Sequence, residues 1–281
     1  MTSHLNDGNS PLLKRLAALP PFPTMALRLL SISTESATAI DDYENAFKAD
    51  PALATDLLLT ANSAEFGLPA RVSSVRQAVT LLGLERVNSL SLTIAMRYYM
   101  RESTPRLQVL QPLWTHSIAT AVIAEALANA TGQGMPGLYT AGLVHDVGRL
   151  GLLMSAGKPY ASMLSEPVVS LEDALVDERS QFGIVHTEAG AIMTKSWGLP
   201  DLLSDAIRCH HDPAPPRSDQ GLNLIQLACC TASALGYGEQ ALANGAAILE
   251  IPPELPGRPV LDPESLRQRI SKLLYSMSAP T

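Results

Sequence analysis

The sequence predicts an all-α protein built from two packed helical subdomains. Apolar residues recur at intervals of three and four along most of the chain, which is the spacing of one buried helix face. No stretch alternates apolar and polar residues between turn residues, so we predict no β-strand. Proline and glycine fall mainly at the ends of the periodic stretches, where they begin or end helices.

Residues typical of helix ends delimit the N-terminal helices. Asp50 is expected to cap a helix that begins at Pro51, because its carboxylate can accept from free N–H groups and proline suits the first helical position. Gly83 is expected to end another helix as a C-terminal glycine cap, and the helix that follows it is apolar nearly all round and therefore buried. The predicted N-terminal helices are 22–33, 40–48, 50–63, 74–82 and 84–100.

A polar stretch, RESTPRL, is expected to join the two subdomains, because Pro105 interrupts any helix there. This joint predicts an N-terminal subdomain at 11–103, a second subdomain at 104–236 and a C-terminal extension at 237–281. Residues 251–263 are rich in proline and are expected to be irregular. The other predicted helices are 108–131, 136–154, 170–180, 184–197, 200–211, 219–236 and 263–277.

Composition limits the class of protein and its partners. Hydrophobic residues make up 46% and charged residues 17% of the 281, as in an ordinary folded protein. The net charge of −7 argues against binding to nucleic acid or to an anionic membrane surface. The chain has no apolar run of about 20 residues and no signal-peptide pattern at its start. Because three cysteines form no disulfide framework, we expect reduced, packed thiols in a cytoplasmic protein.

Five of the six histidines form an ordered series with an aspartate. Imidazoles and carboxylates are common ligands of divalent transition metals, and helical bundles build such sites from facing helices. Each histidine alone also fits a structural role, as a capping or packed residue, a loop hydrogen-bond donor or a cation at a helix C-terminus. Together they are expected to converge on one pocket. The candidate ligands are His116, His145, Asp146, His186, His210 and His211.

Longer motifs around these residues resemble a known family. The element AGLVHDVGRLGLLMS resembles the signature of the HD superfamily of metal-dependent phosphohydrolases, and THSIATAVIAEAL resembles the first histidine helix of that superfamily. The elements LPPFPTMALRLL, NSAEFGLPARVSSVRQAVTLLGLERV and QFGIVHTEAGAIMTKSWGLPDLLSDAIRCHH resemble its HDOD branch, the HD-related output domains. The resemblance covers residues 11–236. It implies an N-terminal helical bundle packed on an HD-like bundle, and a role in bacterial signal transduction through binding.

The resemblance also implies two sets of metal ligands. In hydrolytic relatives, one metal takes the first histidine, the His-Asp pair and a late aspartate, which implies His116, His145 and Asp146 here. The other metal shares that aspartate and uses the downstream histidines. Its implied ligands are Asp146, His186, His210 and His211, a set suited to iron, manganese, nickel or zinc.

Three positions depart from the hydrolytic pattern. The late aspartate is missing, because the corresponding step is Ala228-Cys229, and we expect Cys229 to be a packed helix residue. Arg149 replaces the lysine after the His-Asp pair and could engage phosphate with its forked guanidinium. The Gly-Tyr-Pro element of cyclic-di-GMP phosphodiesterases is absent, since DPAPPRSD begins at Asp212.

These departures favour a non-catalytic regulatory module that binds a signalling protein or a small ligand. The intact histidine series keeps an alternative open, a metal-dependent phosphohydrolase acting on a nucleotide or cyclic dinucleotide. We expect no fused receiver, membrane sensor or further output domain, so that the input signal arrives from a separate molecule.

Overall fold

The computed structural model describes residues 11–33, 36–63, 66–103, 109–131, 137–212, 220–240 and 261–278. These residues form helices and no β-strand, which confirms the predicted fold class. A short π-helical turn at 233–237 directly follows the α-helix that ends at Ala232. In chain order the α-helices are α1 (Pro11–Ala17), α2 (Thr24–Ser31), α3 (Ala39–Lys48), α4 (Pro51–Ala61), α5 (Val75–Leu82), α6 (Leu84–Ser103), α7 (Leu110–Ala130), α8 (Leu138–Val144), α9 (Val147–Ala156), α10 (Lys158–Ser165), α11 (Leu171–Phe182), α12 (His186–Trp197), α13 (Asp201–Cys209), α14 (Gln220–Ala232) and α15 (Pro263–Ser278).

The helix ends follow the residues that predict them. An Asp50 side-chain oxygen accepts from the Leu53 N–H at 3.0 Å, and Pro51 is the first residue of α4. Gly83 ends α5 with a positive φ of 84°, a backbone conformation that suits glycine. Gly198 ends α12 in the left-handed region.

One predicted helix, 136–154, is wrong as a single element. The structure divides it into α8 and α9, with His145 and Asp146 in the turn between them. Asp146 leaves the helical range at φ −99° and ψ 15°, and its carbonyl accepts from the Arg149 N–H at 2.9 Å, three residues on. Successive side chains of an unbroken helix point about 100° apart. The break therefore allows two adjacent side chains to face one pocket.

The structure contains two short helices, α1 and α10, that the apolar periodicity of the sequence does not predict. The predicted joint at Pro105 and most of the proline-rich stretch 251–263 lie outside the described residues. The subdomain boundaries at 103/104 and 236/237 stay predictions.

Helix α7 lies at the centre of the C-terminal bundle. Most of its side chains are buried, and it packs against α8, α14 and α15. The terminal helix α15 is fastened to it by Arg269, which donates to the Glu125 carboxylate at 2.7 Å. Arg86 of α6 donates to the same carboxylate at 3.2 Å, so one side chain joins three helices.

The N-terminal helices pack directly on the bundle. Phe22 stacks on Trp197 of α12 with ring centroids 5.3 Å apart, and Tyr99 of α6 meets both rings edge-on. Helix α1 packs against α9 and α12, and its Leu16 is almost fully buried. Helix α12 therefore contacts both the N-terminal helix α1 and the bundle helices α9 and α13.

Among the described residues, no helix combines the length and the apolar character needed to cross a membrane.

Two helices of the bundle, α9 and α12, approach one another at a glycine. A Cβ atom on Gly148 would lie 1.8 Å from the His186 carbonyl oxygen and 2.7 Å from the Gly190 nitrogen. A Cβ on Gly151, one turn later, would meet the sulfur of Met193 at 2.1 Å. Backbone atoms cannot move aside, whereas a thioether is flexible.

We expect Gly148→Ala to lower the free energy of unfolding by about 3 kcal/mol, the upper part of the range for overpacked cores. Gly151→Ala is the matched control and should cost about 1 kcal/mol, because Met193 can rotate away. Urea unfolding monitored by circular dichroism measures both variants. Equal midpoints for Gly148→Ala and the unmodified chain would contradict the close approach of these helices.

Candidate metal centre

The structure brings the six candidate ligands together in one buried pocket of the C-terminal bundle. His116 comes from α7, the His145–Asp146 pair from the turn between α8 and α9, and His186 from the first position of α12. His210 and His211 follow the last residue of α13. His116, His145 and His186 have no exposed surface, and His210 has 2%. Their function as metal ligands stays a prediction.

The Asp146 carboxylate lies between two pairs of imidazoles. Its Oδ1 is 3.1 Å from His210 Nε2 and 3.3 Å from His186 Nε2. Its Oδ2 is 3.8 Å from His145 Nε2 and 3.9 Å from His116 Nε2. Burial acts to raise the pKa of Asp146, but the Arg149 guanidinium beside the carboxylate lowers it, and the pKa lies well below its usual value. The aspartate is therefore ionised.

Backbone carbonyls fix the tautomers of two histidines. His145 Nδ1 is 2.7 Å from the Gly142 carbonyl oxygen, and His210 Nδ1 is 2.9 Å from the Ile207 carbonyl oxygen. A carbonyl oxygen only accepts, so each Nδ1 carries the proton and donates it. The pKa of both histidines lies below its usual value, chiefly because of burial, so both rings are neutral. Each Nε2 then directs a lone pair into the pocket.

The other two inward-facing histidines are oriented in the same way. His186 Nδ1 donates to Glu178 Oε2 at 2.8 Å, and His116 Nδ1 donates to the Tyr237 carbonyl oxygen at 2.8 Å. In both rings the remaining nitrogen, Nε2, faces Asp146. Histidines that bind metals in proteins typically donate their second ring N–H to a carboxylate or a backbone carbonyl.

The Nε2 atoms of these histidines lie close together in two pairs. His116 Nε2 and His145 Nε2 are 3.2 Å apart, and His186 Nε2 and His210 Nε2 are 3.4 Å apart. Two ring nitrogens at such distances share a proton or a cation, because two lone pairs that close repel each other. His211 Nε2 is also buried and has no hydrogen-bond partner among the described residues. Metal ions on the two sides of Asp146 would satisfy all of these nitrogens, so the donor set fits the predicted cofactor.

The charged side chains of the pocket also favour a bound cation. Arg149 is fully buried and donates to three carboxylates, Asp146 at 3.3 Å, Glu178 at 3.0 Å and Glu239 at 3.0 Å. Burial acts to raise the pKa of Glu178, but His186 and Arg149 lower it to about 2. One guanidinium therefore balances only part of the carboxylate charge. Uncompensated charge is costly in a protein interior, and a divalent cation would remove the excess.

Two of these carboxylates were not among the sequence candidates. Glu178 shares the buried face of α11 with Ala174, four residues earlier. A carboxylate on an otherwise buried helix face is a sequence signal for a buried partner, which helical periodicity could have revealed. Glu239 lies in the segment after α14, with 10% of its side chain exposed, and nothing in the sequence around it indicates its position.

The structure also locates the two residues that depart from the hydrolytic pattern. The three carboxylates around Arg149 occupy its guanidinium, so phosphate binding by this residue, which stays a prediction, would require one of them to move. Cys229 was expected to be a packed helix residue. It is buried, but its Sγ points into the pocket and lies 3.6 Å from His116 Nε2.

Comparisons with known proteins agree with this architecture. Residues 19–213 match the model of the HDOD domain family. An HDOD domain protein of unknown function from Geobacter sulfurreducens superposes with a TM-score of 0.72 at 25% identity, over 96% of this chain and 97% of that one. A protein provisionally described as a signal transduction protein from Marinobacter aquaeolei VT8 gives a TM-score of 0.67 at 23% identity, over 98% of this chain and 65% of that one. An uncharacterised protein of Treponema pallidum (strain Nichols) is 28% identical over 208 residues, which are 70% of this chain but only 38% of that protein.

We expect Glu178→Gln to lower the free energy of unfolding by about 3 kcal/mol, as when one partner of a buried ion pair is removed. Among the described residues, the hydrogen bonds to the Glu178 carboxylate come from donors of Arg149, Tyr160 and the backbone and ring of His186. An amide would place its own N–H groups against some of them. Asp205→Asn, which breaks an exposed pair with Arg208, is the control and should cost less than about 1 kcal/mol. Equal urea midpoints for the two variants would contradict a buried network centred on Arg149.

Proposed function

The chain belongs to the HDOD domain family, and on that premise we propose that it is a regulatory module of bacterial signal transduction. The module binds a divalent transition metal in the pocket around Asp146, and this HD-derived site serves recognition of a signalling protein or a small ligand and not phosphoester hydrolysis. The observation that carries this proposal is the set of four imidazoles whose Nε2 atoms all face one ionised carboxylate, while each Nδ1 is held by a carbonyl or a carboxylate.

The proposed metal ligands are three histidines and the central carboxylate. One ligand atom from each of Asp146, His186, His210 and His211 lies within 4.8 Å of the others. Three imidazoles with one carboxylate suit iron, manganese, nickel or zinc. When bound, such a metal would act as a Lewis acid toward an oxygen ligand. Glu178 holds His186 in the tautomer that leaves its Nε2 free to coordinate.

The electrostatics of the pocket argue against phosphoester hydrolysis. An enzyme of that class must place cationic or N–H groups against the developing negative charge of the phosphoryl group. Here the only guanidinium of the pocket among the described residues, Arg149, already donates to three carboxylates. Glu239 adds a further negative charge, with its Oε2 3.5 Å from His116 Nδ1. A substrate phosphate would meet repulsion where hydrolysis requires attraction.

A signalling role is supported by the connection between the pocket and the segment after α14. The Tyr237 carbonyl accepts from His116, and Glu239 accepts from Arg149. A ligand that moves His116 or Arg149 would strain these two hydrogen bonds and could shift the segment with them. Occupancy of the pocket can therefore be transmitted to a surface where a partner binds.

The second candidate function is a metal-dependent phosphohydrolase acting on a nucleotide or cyclic dinucleotide. The observation that favours it is the convergence of the whole histidine series on Asp146. That convergence alone does not distinguish an active hydrolase from a binding module.

Protein purified without chelator or metal-affinity resin should contain at least one equivalent of a transition metal per chain. His210→Ala should reduce that content and weaken metal binding about 10- to 100-fold, because His210 Nε2 faces Asp146 Oδ1. His4→Ala, which changes the histidine outside the series, is the control and should have no effect. Elemental analysis measures all three proteins. Equal metal content in His210→Ala and the unmodified protein would contradict the proposed site.

With manganese or iron added, we expect turnover of cyclic dinucleotides far below the roughly 1–100 s⁻¹ of an ordinary enzyme. The reason is the saturated guanidinium of Arg149 beside Glu239. A phosphodiesterase assay with product separation measures the rate. Turnover in the ordinary range that His145→Ala abolishes would replace the regulatory function with the hydrolytic one.

A further inference from the structure

We propose that Cys229 is a metal ligand, and that Cys229, His116, His145 and Asp146 form a second metal site suited to zinc. This site lies on the Oδ2 side of Asp146, opposite the Oδ1 side that faces His186 and His210. It rests on the proposed metal-binding function in one respect, the shared carboxylate of Asp146.

The separations between the donor atoms match a tetrahedral ion. Zinc with nitrogen ligands at about 2.1 Å and sulfur at about 2.3 Å sets nitrogen–nitrogen separations of about 3.4 Å and nitrogen–sulfur separations of about 3.6 Å. His116 Nε2 lies 3.2 Å from His145 Nε2 and 3.6 Å from Cys229 Sγ. Asp146 Oδ2 is slightly farther, at 3.8 and 3.9 Å from the two nitrogens. His116, His145 and Cys229 thus lie at separations suited to one ion, and the Asp146 carboxylate would move closer to the sulfur on binding to become the fourth donor.

The orientation of each donor is already set by its other contacts. His116 and His145 use their Nδ1–H groups on the carbonyls of Tyr237 and Gly142, so both Nε2 atoms face the place where the ion would lie. One ligand atom from each of His116, His145 and Cys229 lies within 4.8 Å of the others, and all three residues are buried. The Cys229 thiol lies within hydrogen-bond reach of His116 Nε2 in the metal-free protein, and the same position would let its sulfur bind an ion shared with that ring.

The proton balance of binding is simple. Burial raises the pKa of the Cys229 thiol well above its usual value, so the metal-free protein holds a neutral S–H. Metal binding forms one metal–sulfur bond and releases that proton to solvent, with no change of oxidation state. The thiolate carries the same single negative charge as the aspartate that hydrolytic relatives use. It replaces a hard oxygen with a soft sulfur, which favours zinc over manganese or magnesium.

The proposed site also has a functional meaning. Four protein ligands complete a tetrahedral zinc shell, whereas catalytic zinc sites keep one position open for water or substrate. A closed site of this type would hold α7, α14 and the turn between α8 and α9 together. It agrees with a binding module in which the metal supports structure and does not activate water.

Cobalt titration of the metal-free protein tests this site, because Co²⁺ replaces zinc and bonds to thiolates with an intense charge-transfer absorption in the near ultraviolet. We expect that absorption to grow during the titration and to be at least about ten-fold weaker in Cys229→Ser, a ligand loss. Cys230→Ser, at the neighbouring and partly exposed cysteine, is the matched control and should retain it. Cys229→Asp should bind the same number of cobalt ions without the absorption, which shows that the position coordinates even if the serine variant folds poorly.

The possible results distinguish this site from the one formed by Asp146 with His186, His210 and His211. A doubly substituted His186→Ala, His210→Ala protein should retain the thiolate absorption, because those residues belong to the other side of Asp146. Cobalt binding without any thiolate absorption, or with an absorption that survives in Cys229→Ser, would overturn the proposed second site and leave the first intact. If no cobalt binds at all, both sites are wrong.

Discussion

The buried carboxylate of Asp146 is the group on which the C-terminal bundle depends. An ionised side chain with 6% residue exposure must be compensated, and here one guanidinium donates to it while four imidazoles face it and could share a cation with it. Two features of the helix arrangement place these neighbours around the carboxylate. The turn between α8 and α9 lets Asp146 and its neighbour face the same pocket, and Gly148 lets α12 approach closely enough to place His186 against the carboxylate.

One arginine and two glutamates behind the imidazoles determine the electrostatics of the pocket. Arg149 connects Asp146 with two glutamates, each of which lies beside a histidine, Glu178 beside His186 and Glu239 beside His116. This arrangement orients the rings and leaves the nitrogens facing inward able to coordinate. It also uses the positive charge that a phosphoester enzyme would need for its substrate. The same network supports the proposal of a metal-binding module that does not hydrolyse phosphoesters.

Much of the fold could be predicted because it depends on local patterns. The cap at Asp50, the helix ends at Gly83 and Gly198 and most helix bounds follow from spacing and from the backbone preferences of particular residues. The break at Asp146 could not be predicted, since the apolar spacing continues across it and hides the turn. The convergence of the histidines followed from their order in the family motifs. The contacts of Glu239 and the direction of the Cys229 thiol depend on tertiary packing, which sequence spacing does not contain.

The central claim, that Asp146 and its imidazoles hold a metal ion, is tested most directly by anomalous X-ray diffraction from crystals of the metal-loaded protein. Data collected on both sides of the metal absorption edge would locate the ion without reference to activity. The account predicts an anomalous peak at about 2.0–2.2 Å from Asp146 Oδ1 and from the Nε2 atoms of His186 and His210. A fully loaded crystal whose anomalous peaks all lie outside this pocket would contradict it.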